Sequence, residues 1–265
     1  MLLNISHTST YTYDAPVPYA LQRLRLTPQS NRSQTVHDWK VTCEGAQREV
    51  AYRDGFNNPT DLILVKPNAL EMVITAHGSV TTKDTSGVLG EDKGNPPLWV
   101  YGRQTPLTMP GDNIKQLASD VGAKTDKLAC LHDLMDAIAK AMVFEPGQTD
   151  VETPAEVALT SGRGVCQDHA HTLISAARQL GMLARYVSGY LMIPDVTNQA
   201  ASHAWAEVHV SGLGWVGFDP ANLICPNDKY VRIAIGLDYH GAAPISGIRH
   251  GSAAEMLDVA VKVEQ

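Results

Sequence analysis

Cysteine is scarce in this sequence, with four residues in 265. Cys43, Cys130, Cys166 and Cys225 lie far apart, which excludes the dense disulfide framework of a small secreted scaffold, and all four read as reduced thiols. Long apolar runs are missing as well. No segment approaches the roughly 18 consecutive apolar residues of a membrane span. The opening MLLNISHTSTYTYDAP has no basic stretch leading into an apolar one, so a soluble, cytoplasmic protein with no membrane partner is expected. Basic clusters are absent too. With 21 Lys+Arg against 28 Asp+Glu, a net charge of −7 and no Lys/Arg block, the chain lacks the basic face that a nucleic-acid partner requires. There is no CxxC or HExxH spacing, no internal repeat and no low-complexity tract.

What is present falls into two textures. The first hundred residues alternate like strands. In TVHDWKVTC, His37, Trp39, Val41 and Cys43 share one face, and DLILV and ALEMVITAHGSVTT continue the pattern around the turn signal RDGFNNP. Pro and Gly cluster in GRQTPLTMPGDN, Gly102 to Asn113, which marks a boundary. Helical spacing follows. Leu128, Leu131, Met135, Ile138 and Met142 form a buried stripe, and Cys130 reads as a packing residue beside it. The run Thr153-Pro154-Ala155-Glu156 reads as a cap, a first-turn proline and a capping-box glutamate opening a short helix.

The stretch GRGVCQDHAH places Cys166 among glycines and polar residues, an unusual setting for a thiol that serves only packing. Gly162 and Gly164 permit a tight bend, and the stripe Ala170, Leu173, Ile174, Ala177, Leu180 predicts a helix whose first turn holds Cys166. Unpaired N–H groups and the helix dipole favour a thiolate there. A cysteine nucleophile also needs a base and a group that orients the base. Downstream, SHAWAEVHV alternates His203, Trp205, Glu207 and His209 against small apolar residues, and GWVGFDPAN reads as a returning strand. A connection over Ser211 to Leu213 that pairs Val210 with Gly214 would bring Asp219 opposite Trp205, one diagonal step from His203. Taken singly, each of these residues also fits a structural role: Trp205 as core, Glu207 as an ion-pair partner, Asp219 as a turn former. A zinc site at Cys166, His169 and His171 is disfavoured by helical phase, since His169 lies about 60° and His171 about 140° from Cys166.

On GRGVCQDHAHTLISAARQLGMLARYVSGYL, SHAWAEVHV and GWVGFDPAN, with LQRLRLTPQS and RDGFNN in the first half, the chain resembles the bacterial transglutaminase-like family. Leu183 and GLDYHG depart from that family's usual pattern, at a strand entry and in a C-terminal segment rather than at Cys166, His203 or Asp219. The resemblance implies an α+β fold, with a β-sandwich-like N-terminal domain over 1–105 and a papain-like core, helices packed on an antiparallel sheet, over 106–265. It maps Cys166 to the nucleophile, His203 to the base and Asp219 to the orienting carboxylate, for acyl transfer at amide bonds of a peptide or protein through a thioester. Trp205, Glu207 and His169 are then expected to contact substrate, and no cofactor or metal is implied. The alternative is a non-catalytic binding or scaffolding module, which has no need of the three residues.

Overall fold

The alternation of the first hundred residues becomes six long strands in the computed structural model, which describes residues 1–92, 96–194, 196 and 198–265. These are β1 (Leu2–Val17), β2 (Tyr19–Leu24), β3 (Gln34–Glu44), β4 (Ala46–Arg53), β5 (Pro59–Val65) and β6 (Ala69–Thr82). In β1 every second residue from Leu3 to Tyr13 is buried, as a pleated strand with one face on a core requires. Trp39, Val41 and Cys43 of β3 pack on that core as their spacing predicted. His37 does not. A bulge between Val36 and Asp38 turns it outward, where it bonds the Thr81 hydroxyl at 2.8 Å.

The remaining elements are β7 (Val88–Gly90), α1 (Asp112–Val121), α2 (Lys127–Ala141), β8 (Val143–Phe144), α3 (Ala155–Ser161), β9 (Arg163–Gly164), α4 (Cys166–Gln179), β10 (Ala184–Leu191), β11 (Asn198–Gln199), β12 (His203–Val210), β13 (Gly214–Phe218), β14 (Tyr230–Gly236), α5 (Tyr239–Ala242), β15 (Ile245–His250) and β16 (Glu255–Glu264). Three antiparallel sheets result, ordered β11-β16-β1-β6-β3, β15-β2-β5-β4 and β14-β10-β12-β13-β7. The first two enclose a core that includes Tyr11, Leu24, Ile63, Met72 and Ile74. The third carries α4 on one face. Ala204, Ala206 and Val208 of β12 meet Ala170, Leu173 and Ile174 of α4, and the small side chains let helix and sheet approach closely. The fold is α+β, with helices on an antiparallel sheet beside a two-sheet sandwich.

Strands from the two halves of the chain pair with one another. β7, from the first segment, pairs with β13 in the core sheet, while β15 pairs with β2 and β16 with β1 over Asn4 to Tyr13. An exposed sheet edge is a liability, and β16, lying between β1 and β11, takes β1 off the edge of its sheet. The start of α3 differs from expectation as well. Pro154 flanks the helix rather than opening it, and the Thr153 hydroxyl bonds Asp150 Oδ1 at 3.0 Å. Glu156 serves another helix: its carboxylate accepts from the backbone N–H groups of Gly111, Asn113 and Ile114 at 3.0, 2.8 and 3.0 Å, closing the open end of α1. Gly111 has no room for a Cβ, which would lie 2.4 Å from the Glu156 carboxyl carbon.

Candidate active site

Cys166 begins α4, directly after the N-cap residue Val165. The two glycines before it serve different purposes. Gly162 adopts φ 68°, the left-handed conformation that ends α3 at low cost. Gly164 is needed for space, because a Cβ there would lie 2.7 Å from the Asp168 side chain. Asp168 Oδ2 accepts from Val165 N–H and from the Thr149 hydroxyl, both at 2.7 Å, and so ties the turn to the first loop of the helix. Burial raises the Asp168 pKa, and these hydrogen bonds work against that rise. Cys166 is half-buried, as are Cys43 and Cys225, whereas Cys130 is fully enclosed.

His203 is the first residue of β12. The hairpin to β13 has the predicted register, with Val210 opposite Gly214 and Ala206 opposite Phe218. Asp219 follows at the strand's end, where His203 Nε2 donates to Asp219 Oδ2 at 2.6 Å. The same oxygen accepts from Asn222 Nδ2 at 2.8 Å and from the Tyr230 hydroxyl at 2.7 Å, while Oδ1 accepts from the Ala221 and Asn222 backbone N–H groups at 3.1 and 3.3 Å. A fully buried carboxylate needs such partners to stay ionised. Burial pushes the Asp219 pKa up, but the bond and charge of His203, helped by Asn222 and Tyr230, hold it below the ordinary value. For His203, burial pulls the pKa down. The hydrogen bond to Asp219, the neighbouring Cys166 thiol and the charges on both outweigh it and lift the pKa to about 10. With Nε2–H committed to Asp219, Nδ1 is the nitrogen left for the Cys166 sulfur.

The three residues expected at the substrate are each enclosed. Trp205 is 2% exposed, stacks on His203 with ring centroids 6.3 Å apart and meets Tyr230 edge-on, so it backs the imidazole. Glu207 is fully buried and paired with Arg185 Nε at 2.6 Å and Arg232 Nε at 3.2 Å, the ion-pair role that was its alternative reading. His169 is 2% exposed, with Nδ1 at 2.9 Å from the Val165 carbonyl and Nε2 at 3.2 Å from the Met142 carbonyl. Its ring locks the start of α4 to the end of α2. His171 points elsewhere: its Nε2 accepts from Tyr239 N–H at 3.0 Å, and burial lowers its pKa to about 3. Among the described residues no group of three His, Cys, Asp or Glu side chains is placed to hold a metal ion.

Tyr230 carried no signal in the sequence as a site residue. It lies 11 positions beyond Asp219, and only the pairing of β14 beside β10 brings it to the carboxylate. Asn222 had a local clue, three residues after Asp219 in FDPAN.

Helices pack on an antiparallel sheet, with a half-buried thiol at a helix start and an imidazole bonded to a buried carboxylate at the strand ends, in an α+β protein. The chain belongs to the bacterial transglutaminase-like family: residues 115–220 match the transglutaminase-like superfamily core and residues 3–81 the bacterial transglutaminase-like N-terminal region. An uncharacterised protein of Mycobacterium leprae (strain TN) is 28% identical over 98% of both chains, and one of Mycobacterium bovis is 26% identical over 98% of this chain and 91% of its own. Among solved structures, a protein of Cytophaga hutchinsonii named as a putative cysteine protease has the same fold, with a TM-score of 0.81 and 21% identity over all of this chain and 90% of its own. No helix among the described residues is long and apolar enough to cross a membrane.

Proposed function

We propose that this protein is a thiol-dependent enzyme that transfers acyl groups from amide bonds of a peptide or protein, with Cys166 as nucleophile, His203 as base and Asp219 as the orienting carboxylate. The observation that carries this reading is the 2.6 Å bond from His203 to a carboxylate held by four further donors. Such a carboxylate fixes one tautomer and favours the imidazolium, and an imidazolium beside a sulfur favours the thiolate. The position of Cys166 in the first turn of α4 adds the dipole to the same end.

The thiolate attacks the amide carbon, and the carbonyl π pair moves to oxygen. The Cys166 backbone N–H, first in its helix and without an intrahelical acceptor, is the donor suited to that oxyanion. As the intermediate collapses, the C–N bond breaks and His203 gives its Nδ1 proton to the departing amine, leaving a thioester and neutral imidazole. Water then attacks the thioester as His203 takes a proton from it, and the thiolate leaves. A primary amine in place of water would yield a new amide. Hydrolysis is the favoured outcome, supported by the protease name of the Cytophaga hutchinsonii relative.

A peptide library, assayed with and without a primary amine, tests the reading. Hydrolysis abolished in Cys166→Ala with unchanged melting is the expected result, together with native-state alkylation at Cys166 ahead of Cys43 and Cys225, whose pKa values burial raises. Selective alkylation absent at Cys166, with no turnover of any peptide, would favour a scaffolding module.

A further inference from the structure

On the side of the core sheet away from α4, a cavity of about 480 Å³ opens against the turns of the sandwich, between Asn31, Phe56 and Asn57 on one wall and Tyr101, Trp215 and Arg232 on the other. Neither the Cys166, His203 and Asp219 group nor Trp205 lines it. Its walls are held in register. Asn58 Nδ2 donates to the Ile235 carbonyl at 2.8 Å and its Oδ1 accepts from Ile235 N–H at 2.9 Å, and the Gln34 amide brackets the backbone of Arg232 likewise, at 2.8 Å on both sides.

The unpaired polar atoms on the walls are donors. Trp215 Nε1 and Asn31 Nδ2 are buried and have no acceptor among the described residues. Asn31 Oδ1, by contrast, accepts from Ser33 N–H at 2.8 Å, the Ser33 hydroxyl at 2.9 Å and Gln34 N–H at 3.2 Å, which fixes the orientation of the amide. Buried donors ordinarily have partners, so a pair left without them asks for an acceptor from outside. Charge points the same way. Glu207 Oε2 and Asp92, half-exposed at the rim, both bond Arg185, while Arg232 Nε, 3.2 Å from Glu207 Oε1, is buried without a hydrogen-bond partner among the described residues. The apolar side of the cavity is a chain of rings, Phe56 to Tyr101 at 5.9 Å and Tyr101 to Trp215 at 4.8 Å, with the Arg185 guanidinium stacked 3.8 Å from the Trp215 ring. An occupant would meet donors at one end and aromatic surface at the other.

We propose that this cavity is a second binding site, distinct from the Cys166 centre, for a carboxylate borne on a small apolar group, recognised by Arg232, Asn31 and Trp215. The carboxylate is that of a free acid or of a peptide C-terminus. Calorimetry and thermal shift on the full chain with phenylacetate, N-acetyl-leucine and the tripeptide Gly-Gly-Leu, each compared with its amide, test it. The acids bind and raise the melting temperature while the amides do neither. Tighter binding of the tripeptide identifies a peptide end, and tighter binding of the other two identifies a free acid. Asn31→Asp keeps the Oδ1 acceptor but faces the ligand with negative charge, so affinity falls about tenfold or more with little change in melting; Arg232→Gln has a similar effect through loss of a charged hydrogen bond. Alkylating Cys166 leaves affinity unchanged, which separates this site from the proposed catalytic one. Equal binding of acids and amides, no binding of either, wild-type affinity in Asn31→Asp, or loss of binding on alkylation overturns the proposal. Should Arg232→Gln fail to fold, the acid–amide comparison in the wild type and the Asn31→Asp variant decide.

Discussion

Replacing Asp219 with Asn changes one atom and one charge in the most heavily bonded side chain of the candidate site. The new side chain keeps its size. If its oxygen stays where Oδ1 now accepts from Ala221 and Asn222 N–H, its NH₂ group takes the place of Oδ2, facing three donors: His203 Nε2–H, Asn222 Nδ2–H and the Tyr230 hydroxyl. The hydroxyl can turn to accept and the Asn222 amide can flip. His203 can comply only by moving its proton to Nδ1, the nitrogen that the thiol proton must reach. The carboxylate charge that helps lift the His203 pKa to about 10 is lost at the same time. A charged hydrogen bond contributes about 1.5–3 kcal/mol, so stability falls by an amount within that range, while misplacing the proton costs turnover about 10²–10⁴-fold. The assay is peptide turnover alongside the pH dependence of iodoacetamide alkylation at Cys166. Thermal melting of the same preparation controls for folding. Turnover close to wild type would refute the assignment of Asp219 as the orienting group and turn attention to Asn222.

Gly164→Ala should lower both melting temperature and activity, because its Cβ would lie 2.7 Å from the Asp168 side chain that anchors the turn before Cys166; unchanged alkylation kinetics and melting would show that the turn has slack the structure does not suggest. Stability should be greatest near pH 6.5. His7 and His171, buried neutral with pKa values lowered to about 4 and about 3, contribute stability that is present above about 6.5 and lost as pH falls through those values, and Asp219, also depressed, adds to the acid limb below its ordinary value. His203 acts in the opposite direction: its raised pKa contributes stability that is full below about 6.5 and lost as pH rises through about 10. Melting temperature against pH checks both limbs, and His203→Ala should flatten the alkaline one; an unchanged slope there would contradict the shift.

Local physics determined what could be read along the chain. The stripe of α2 is a property of 3.6-residue periodicity, and Leu131, Met135, Ile138 and Met142 are buried where it predicts, with Leu128 partly so. The Val210–Gly214 register follows from a short connection with Gly214 at φ 75°, and it carried Asp219 to His203 without knowledge of anything beyond the hairpin. The glycines before Cys166 announced a constrained helix start, although only the structure separates the left-handed need at Gly162 from the steric one at Gly164. Tertiary structure decided everything that rests on partners distant in sequence. Glu207 alternates with His203 on one strand face, and nothing in that alternation says that two arginines, 22 and 25 residues away, enclose it while His203 bonds Asp219. Glu156 has the spacing of a capping box, yet its carboxylate closes α1, because N–H groups 42 to 45 residues earlier are brought nearer than those of its own helix. Periodicity reports which face of an element is buried. It carries no information about what lies opposite, because the pairing of charges and donors across elements depends on where the whole chain places them.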